Sequence, residues 1–315
     1  MVKVSVIIPN YNHAAFLQQR IDSVLNQTYR DFEVILLDDV STDGSAAILN
    51  SYRDHEKVSH VVINQQNSGN TFVQWQRGLA LATGDYVWIA ESDDYCSPDL
   101  LEELVSLVDS QENVSVAFCN SIIFRDNEVV TTGHSGQMQE IVEGKTFIRE
   151  RMLFGNTIFN ASMAIFQRSA AQQVDFTLIQ TFKFCGDWLF WIQLAQQGQV
   201  GSSGKVLNYF RKHNADVSGK IYAQGQFHQE LYRLVGELQQ RQLVDTLQSR
   251  YVYYKEWLRV DALIHDRAVQ NTVKRELRSL MFGADVLGHR LSPYQQFLLA
   301  GKMAFWKVKR LIPLG

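Results

Sequence analysis

Along the first part of the chain, apolar residues follow two alternating periods. Val4-Ser5-Val6-Ile7-Ile8 is a β-branched run closed by Pro9, and Phe16, Leu17, Ile21, Val24 and Leu25 then recur on one helical face. A second run, Phe32-Glu33-Val34-Ile35-Leu36-Leu37, stops at Asp38-Asp39, and Ser41-Thr42-Asp43-Gly44 opens the next helix; Val58 to Ile63 is a third strand. Strands alternating with helices at this spacing predict parallel pairing through right-handed crossovers. A helix over Phe72 to Ala82 leads through Thr83-Gly84-Asp85 into the strand Tyr86 to Ala90, which ends in Glu91-Ser92-Asp93-Asp94. Pro98 then starts a helix striped by Leu100, Leu101, Leu104, Leu107 and Val108. Strands are predicted at Val114 to Phe124, Ala161 to Phe166 and Val206 to Phe210, with a turn at Asp126-Asn127 and a helix opening at Gly186-Asp187-Trp188. Beyond Ser218 the strand signal ends. The reading is an α/β fold, a mostly parallel sheet flanked by helices, over residues 1–220, followed by a helical region over 221–315.

Composition narrows the class. At 315 residues, 46% hydrophobic and 20% charged, the chain is globular. Thirty Lys and Arg against thirty-three Asp and Glu leave no basic field to draw it onto nucleic acid. Cys96, Cys119 and Cys185 lie far apart with no C-x-x-C pair, which suits structural thiols in a reducing compartment. The apolar stretch at the N-terminus is too short for a secretion signal and no uncharged span approaches bilayer length, so a cytoplasmic protein is expected.

In an open parallel sheet, ligands bind beyond the carboxyl ends of the strands. Here those ends carry Pro9-Asn10-Tyr11-Asn12, Asp38-Asp39 and Glu91-Ser92-Asp93-Asp94. Carboxylates crowded on one rim raise one another's pKa unless a cation neutralises them, and Mg2+ or Mn2+ would do so through oxygen ligands while completing its shell with water or phosphate oxygens. Neither G-x-G-x-x-G after the first strand nor G-x-x-x-x-G-K-[ST] occurs, which disfavours dinucleotide dehydrogenases and P-loop NTPases. Taken singly, each acid pair serves equally as cap and turn chemistry, Tyr11 as rim packing and Asp187 as a helix-dipole charge. Their joint order favours a site.

The segments 4–12, Ser23-Val24-Leu25-Asn26-Gln27-Thr28, 32–45, 82–98 and Gly186-Asp187-Trp188-Leu189-Phe190-Trp191 together resemble the inverting family 2 glycosyltransferases of the GT-A fold. The resemblance covers about the first two thirds of the chain. It implies that Pro9, Asn10 and Tyr11 cup the nucleotide base and that Asp39 accepts from the base edge. It aligns the D-x-D metal motif with Glu91-Ser92-Asp93, so that Asp93 is the direct ligand, Ser92 lines the nucleotide and Glu91 takes a weaker or water-mediated role. It makes Asp187 the general base. A histidine at the position of His213 approaches the metal or diphosphate in some relatives, and Arg77 either contacts phosphate or faces solvent. No Q-x-x-R-W element is found, which favours addition of a single sugar.

After Asp285 no acidic residue follows, while Arg290, Lys302, Lys307, Lys309 and Arg310 interleave with large apolar residues. Two readings stand at 290–315: a helix in a membrane interface at the inner face of the cytoplasmic membrane, or one packing on its own domain or a twin subunit. The expected function is transfer of one sugar from a nucleoside-diphosphate donor, a UDP-sugar by expectation, to a saccharide or lipid-linked saccharide in surface polysaccharide synthesis. A sugar-phosphate nucleotidyltransferase and a catalytically idle nucleotide-sugar binder are the alternatives.

Overall fold

The computed structural model describes residues 2–125, 128–132, 139–212 and 224–282. Among the described residues ten strands form one sheet: β1 (Val4–Asn10), β2 (Phe32–Asp38), β3 (Val58–Ile63), β4 (Tyr86–Ile89), β5 (Tyr95–Cys96), β6 (Val114–Arg125), β7 (Glu128–Thr132), β8 (Gln139–Glu143), β9 (Ala164–Gln167) and β10 (Gln199–Arg211). Their spatial order is β3-β2-β1-β4-β9-β6-β10-β5, with β7 beside β6 and β8 beside β10. The first four in that order are parallel, joined through α1 (Ala14–Leu25), α2 (Ser45–Ser51) and α3 (Thr71–Leu81). Every residue of β1, β2 and β4 is buried, as a sheet covered on both faces requires.

The other half of the sheet is mixed. β9 runs antiparallel to both β4 and β6, β10 pairs β6 in parallel, and β5 pairs β10 antiparallel. Here the paired strands lie far apart in sequence, except for β6 and β7, which are consecutive and antiparallel, so their direction is not set by a strand–helix–strand crossover. Three boundaries also differ from the sequence reading. β1 runs through Pro9 to Asn10, because β4 pairs it only as far as Ile7 and a missing N–H beyond that point leaves β4 no bond to lose. Ala161–Met163 is a 3₁₀ turn rather than strand, and β10 begins at Gln199 instead of Val206. The predicted turn at 126–127 lies outside the described residues.

Close packing sets the helix positions. A Cβ at Gly78 of α3 would sit 2.4 Å from Ile7 Cγ2, so glycine lets α3 lie directly on β1. At the amino ends of the strands, Glu33 Oε1 accepts hydrogen bonds from Ser5 Oγ (2.7 Å), Thr83 N (2.9 Å) and Thr83 Oγ1 (2.6 Å), tying β1, β2 and the β4 approach together. Burial works to raise the pKa of Glu33, but these hydrogen bonds outweigh it and hold the group at about 2, below its ordinary 4.5. A depressed carboxylate stabilises the fold fully above 4.5 and loses that contribution as pH falls toward 2. Glu33→Gln is therefore expected to cost about 2 kcal/mol at neutral pH, with the gap to the native protein closing across that acid window in pH-dependent thermal melts.

The chain divides between Ala215 and Asp216 into two compact units. The second contains α9 (Gln226–Gln240), α10 (Thr246–Leu263) and α11 (Arg267–Phe282). Asp245 and Gln248 form a capping box that starts α10, and Leu231, Leu234, Val235 and Leu238 form the buried stripe of α9. No helix among the described residues is long and apolar enough to cross a membrane. Residues 290–315, with their two readings, lie outside the described residues.

Candidate active site

The carboxyl ends of β1, β2 and β4 meet on one rim, and the residues predicted there divide into those that build it and those that face outward. Asn10 is buried and donates through Nδ2 to Asp38 Oδ1 (2.8 Å) and Ser41 Oγ (3.1 Å), joining the ends of β1 and β2. Pro9 is also buried, whereas Tyr11 is 51% exposed at the mouth of the rim. Asn12 takes a left-handed conformation (φ 55°), from which its Oδ1 accepts from Thr42 N at 2.8 Å. The β1 and β2 loops thus brace one another through side-chain amides.

Asp39 is nearly saturated. Its carboxylate accepts from Asn64 Nδ2 (2.8 Å), Gln74 Nε2 (2.9 Å), Ser68 Oγ (2.7 Å) and Ser68 N (2.9 and 3.0 Å). It therefore holds the 64–70 loop across the end of β2. A nucleotide base would reach Asp39 only by taking the place of one of these donors, and Ser68 supplies the ones that a turn of the loop can release.

The acid run 91–94 does not converge on a single point. Glu91 Oε1 accepts from the Trp75 indole N–H at 3.0 Å, and Ser92 is buried with its Oγ 2.8 Å from His13 Nδ1. Asp94 is fully buried, accepting from Asn160 Nδ2 (2.9 Å), Ser162 Oγ (2.7 Å) and the Arg211 backbone N–H (3.0 Å). Asp93 is left half-buried on the rim. Burial, reinforced by Asp93 and Asp94, pushes Glu91 up to about 8, against the pull of Trp75 and Arg20. Asp94 is driven upward by burial and by Asp93, with Arg20, Ser162 and Arg211 opposing.

Two cations of the chain itself meet this run. Arg20 is fully buried in the apolar stripe of α1, its guanidinium carbon 4.9 Å from the centre of the Trp88 ring, and its charge acts on both Glu91 and Asp94. Its guanidinium also reaches the buried Cys96 thiol, where it opposes the upward push of burial on that group. Arg211 Nε donates to the Asp93 carbonyl at 2.9 Å, while its guanidinium lies 4.5 Å and 4.7 Å from the centres of the Phe16 and Phe124 rings. The charge that the sequence reading expects a divalent ion to cancel is thus partly met by Arg20, while Arg211 fastens the backbone of the run.

The fit to Mg2+ or Mn2+ is correspondingly narrow. Among the described residues no three His, Cys, Asp or Glu are grouped to hold an ion, and His213 lies outside them. One carboxylate on an open rim, that of Asp93, still suits such an ion, which commonly takes one or two protein carboxylates and fills its shell with phosphate oxygens and water.

Asp187 stands on α8 (Gly186–Ala195), a helix apolar almost all round and buried along its length except at Asp187. Phe190 lies 5.2 Å edge-on to both Trp75 and Phe166, and Trp188 Nε1 donates to the Met152 carbonyl at 2.9 Å. A Cβ at Gly186 would come within 2.5 Å of the Phe72 ring, so only glycine lets α8 open against α3. The carboxylate of Asp187 accepts from Trp188 N (2.7 Å) and Asn156 Nδ2 (3.0 Å). Arg77 is exposed on α3.

Sequence reasoning missed His13, Arg20, Trp75, Asn156 and Arg211 as parts of this site. Only Arg20 carried a signal, a cation between Leu17 and Ile21 on a helix face otherwise apolar.

The model of the family described as glycosyl transferase family 2 matches residues 5–175. A relative from Bacillus subtilis (strain 168), named provisionally as the teichuronic acid biosynthesis glycosyltransferase TuaG, is 27% identical over 242 residues, covering 75% of this chain and 89% of its own. Three further relatives are matched over 40% to 67% of their own length. Among solved structures, Staphylococcus aureus TarS 1–349 in complex with UDP-GlcNAc aligns at a TM-score of 0.60 and 18% identity, over 96% of this chain and 80% of that one. The mannosyltransferase PcManGT from Pyrobaculum calidifontis in complex with GDP-Man and Mn2+ aligns at 0.54 and 16%, over 99% and 81%. At these identities the two structures speak to the fold alone, and the fold is GT-A. Because the family match takes in more than half of the chain, including all four strands of the parallel half, this protein belongs to glycosyl transferase family 2.

Proposed function

We propose that the protein transfers a single sugar, with inversion, from a nucleoside-diphosphate donor to a hydroxyl of a saccharide or lipid-linked saccharide, the product being part of a surface polysaccharide. One observation carries the reading: a rim with an outward tyrosine and the half-buried Asp93 stands at the ends of β1, β2 and β4, while a rigid buried helix presents Asp187 with two hydrogen bonds on its carboxylate. A uridine donor fits, because Asp39 can accept the imide N–H of the base once Ser68 turns aside. In the transfer, Asp187 takes the proton of the acceptor hydroxyl as its oxygen bonds to the anomeric carbon. The bond from that carbon to the diphosphate oxygen breaks on the opposite face, and its electron pair leaves with the nucleoside diphosphate. A divalent cation held by Asp93, with Glu91 and His213 in secondary roles, would supply charge neutralisation for that leaving group.

A thermal-shift series with UDP-, GDP- and dTDP-sugars, each with and without Mn2+, tests the reading. The matching donor at 100 times its Kd is expected to stabilise the native state by about 2.7 kcal/mol. Release of nucleoside diphosphate supports transfer. Pyrophosphate in its place identifies a nucleotidyltransferase, and stabilisation by no nucleotide sugar overturns the proposal.

A further inference from the structure

The helix α10 carries large apolar side chains on two opposite sides. Ser249, Val252, Tyr253, Glu256 and Val260 form its buried face. Half a turn round the axis, Leu247, Tyr251, Tyr254 and Leu258 recur at spacings of four, three and four residues, which places them on one outward stripe. Leu247 is 40% exposed, Leu258 49%, and Leu263 at the end of the helix 38%. A helix that covers a core on one face ordinarily turns polar and charged residues directly outward, and an apolar stripe there implies something to cover it. Along one edge of the stripe the Tyr254 and Trp257 rings stack at 6.4 Å, and Lys274 Nζ lies 5.1 Å from the centre of the Trp257 ring. Arg250, on that same edge, is exposed.

We infer that the outward stripe of α10 docks on an anionic lipid surface, its leucines and aromatic rings entering the boundary of the acyl region and the cations beside them meeting the headgroups. Charge selects this occupant. Residues 246–315 hold twelve Lys and Arg against five Asp and Glu, a net +7, whereas the whole chain stands at -3. The acids of α10 are already met by cations: Glu256 accepts from Arg259 Nη1 at 3.1 Å, and Asp261 from Lys274 Nζ at 2.5 Å. A second copy laid stripe to stripe would bring two such basic regions together. The segment 290–315 of the same chain, in which every charged side chain is a Lys or Arg, would do likewise. Like charges set face to face cost affinity. An anionic lipid surface gains from the same cations, and Tyr and Trp, each an apolar ring with a polar tip, suit the boundary between headgroups and acyl chains. The 18 residues of α10 give a stripe about 27 Å long lying along the surface rather than through it. This surface belongs to the second unit alone and does not depend on the reaction proposed above.

The test is sedimentation of the full-length protein with vesicles of phosphatidylglycerol and, in parallel, of phosphatidylcholine. Binding to phosphatidylglycerol is expected, at least about tenfold tighter than to phosphatidylcholine and weakened by added salt. Leu247→Gln combined with Leu258→Gln, both at exposed positions, is expected to lower that binding by about tenfold or more while the melting temperature without vesicles is kept. Arg250→Gln is expected to lower it about fivefold. Absence of binding to phosphatidylglycerol, equal binding to the two lipids, or native binding by the double leucine variant overturns the inference. A dimer that the double variant splits into monomers assigns the stripe to a second copy, and a melting temperature that the double variant lowers by several degrees assigns it to a segment of this chain; either result overturns the inference as well.

Discussion

Asn in place of Asp187 is expected to leave donor binding intact and to cut sugar transfer by about 100- to 10,000-fold, the range that a positioned general base contributes. The substitution is nearly isosteric. It keeps one oxygen to accept from Trp188 N in the place of Oδ1, while the amide nitrogen in the place of Oδ2 can no longer accept from Asn156 Nδ2; what it removes besides is a group able to take a proton at neutral pH. The burial of α8, with Phe190 wedged against Trp75 and Phe166, holds the helix independently of this side chain, and equal melting temperatures for the two proteins check that the fold is kept. The thermal shift produced by the nucleotide sugar should also match. Transfer at the native rate would remove Asp187 from the reaction.

The second large effect is on stability and falls on Arg20. Arg20→Met retains a long stem over the Trp88 ring while removing the charge that acts on Glu91 and Asp94. Removing one partner from a buried charge arrangement typically costs about 3–5 kcal/mol, because the remaining charge stays buried and uncompensated. Urea unfolding at neutral pH should report a loss of that order. The sign of its pH dependence follows from Asp94, whose pKa burial already drives upward: as pH falls and the carboxyl takes up a proton, the uncompensated charge disappears and the gap between variant and native protein narrows. Asp94→Asn added to Arg20→Met should recover part of the loss. A cost that ignored both pH and Asp94 would mean that Arg20 acts through packing alone.

The parallel half of the fold is legible along the chain because its signals are local. Runs such as Val34-Ile35-Leu36-Leu37 can bury both faces only inside a covered sheet, and the stripe of α1 fits only one side of it. The mixed half is not legible in the same way. β5 is two residues long, and the segment 161–167 divides into a 3₁₀ turn and a strand with no change in composition to mark the division. Pairing there is decided by neighbours distant in sequence.

The candidate site divides along the same line. That acids, an aromatic residue and an asparagine stand at strand ends is written in the order of residues, and so is the placing of Asp187 at the opening of an apolar helix. Where each carboxylate points is not. Asp39, Glu91 and Asp94 are turned inward by Ser68, Trp75, Asn160 and Ser162, residues up to 68 positions away along the chain. The sequence alone determined which chemical groups reach one sheet edge, because hydrophobic period and strand length are properties of contiguous residues. Only the tertiary structure decided which of those groups remain on the rim and which become fasteners, because a buried polar atom takes whichever partner the packing brings within about 3 Å.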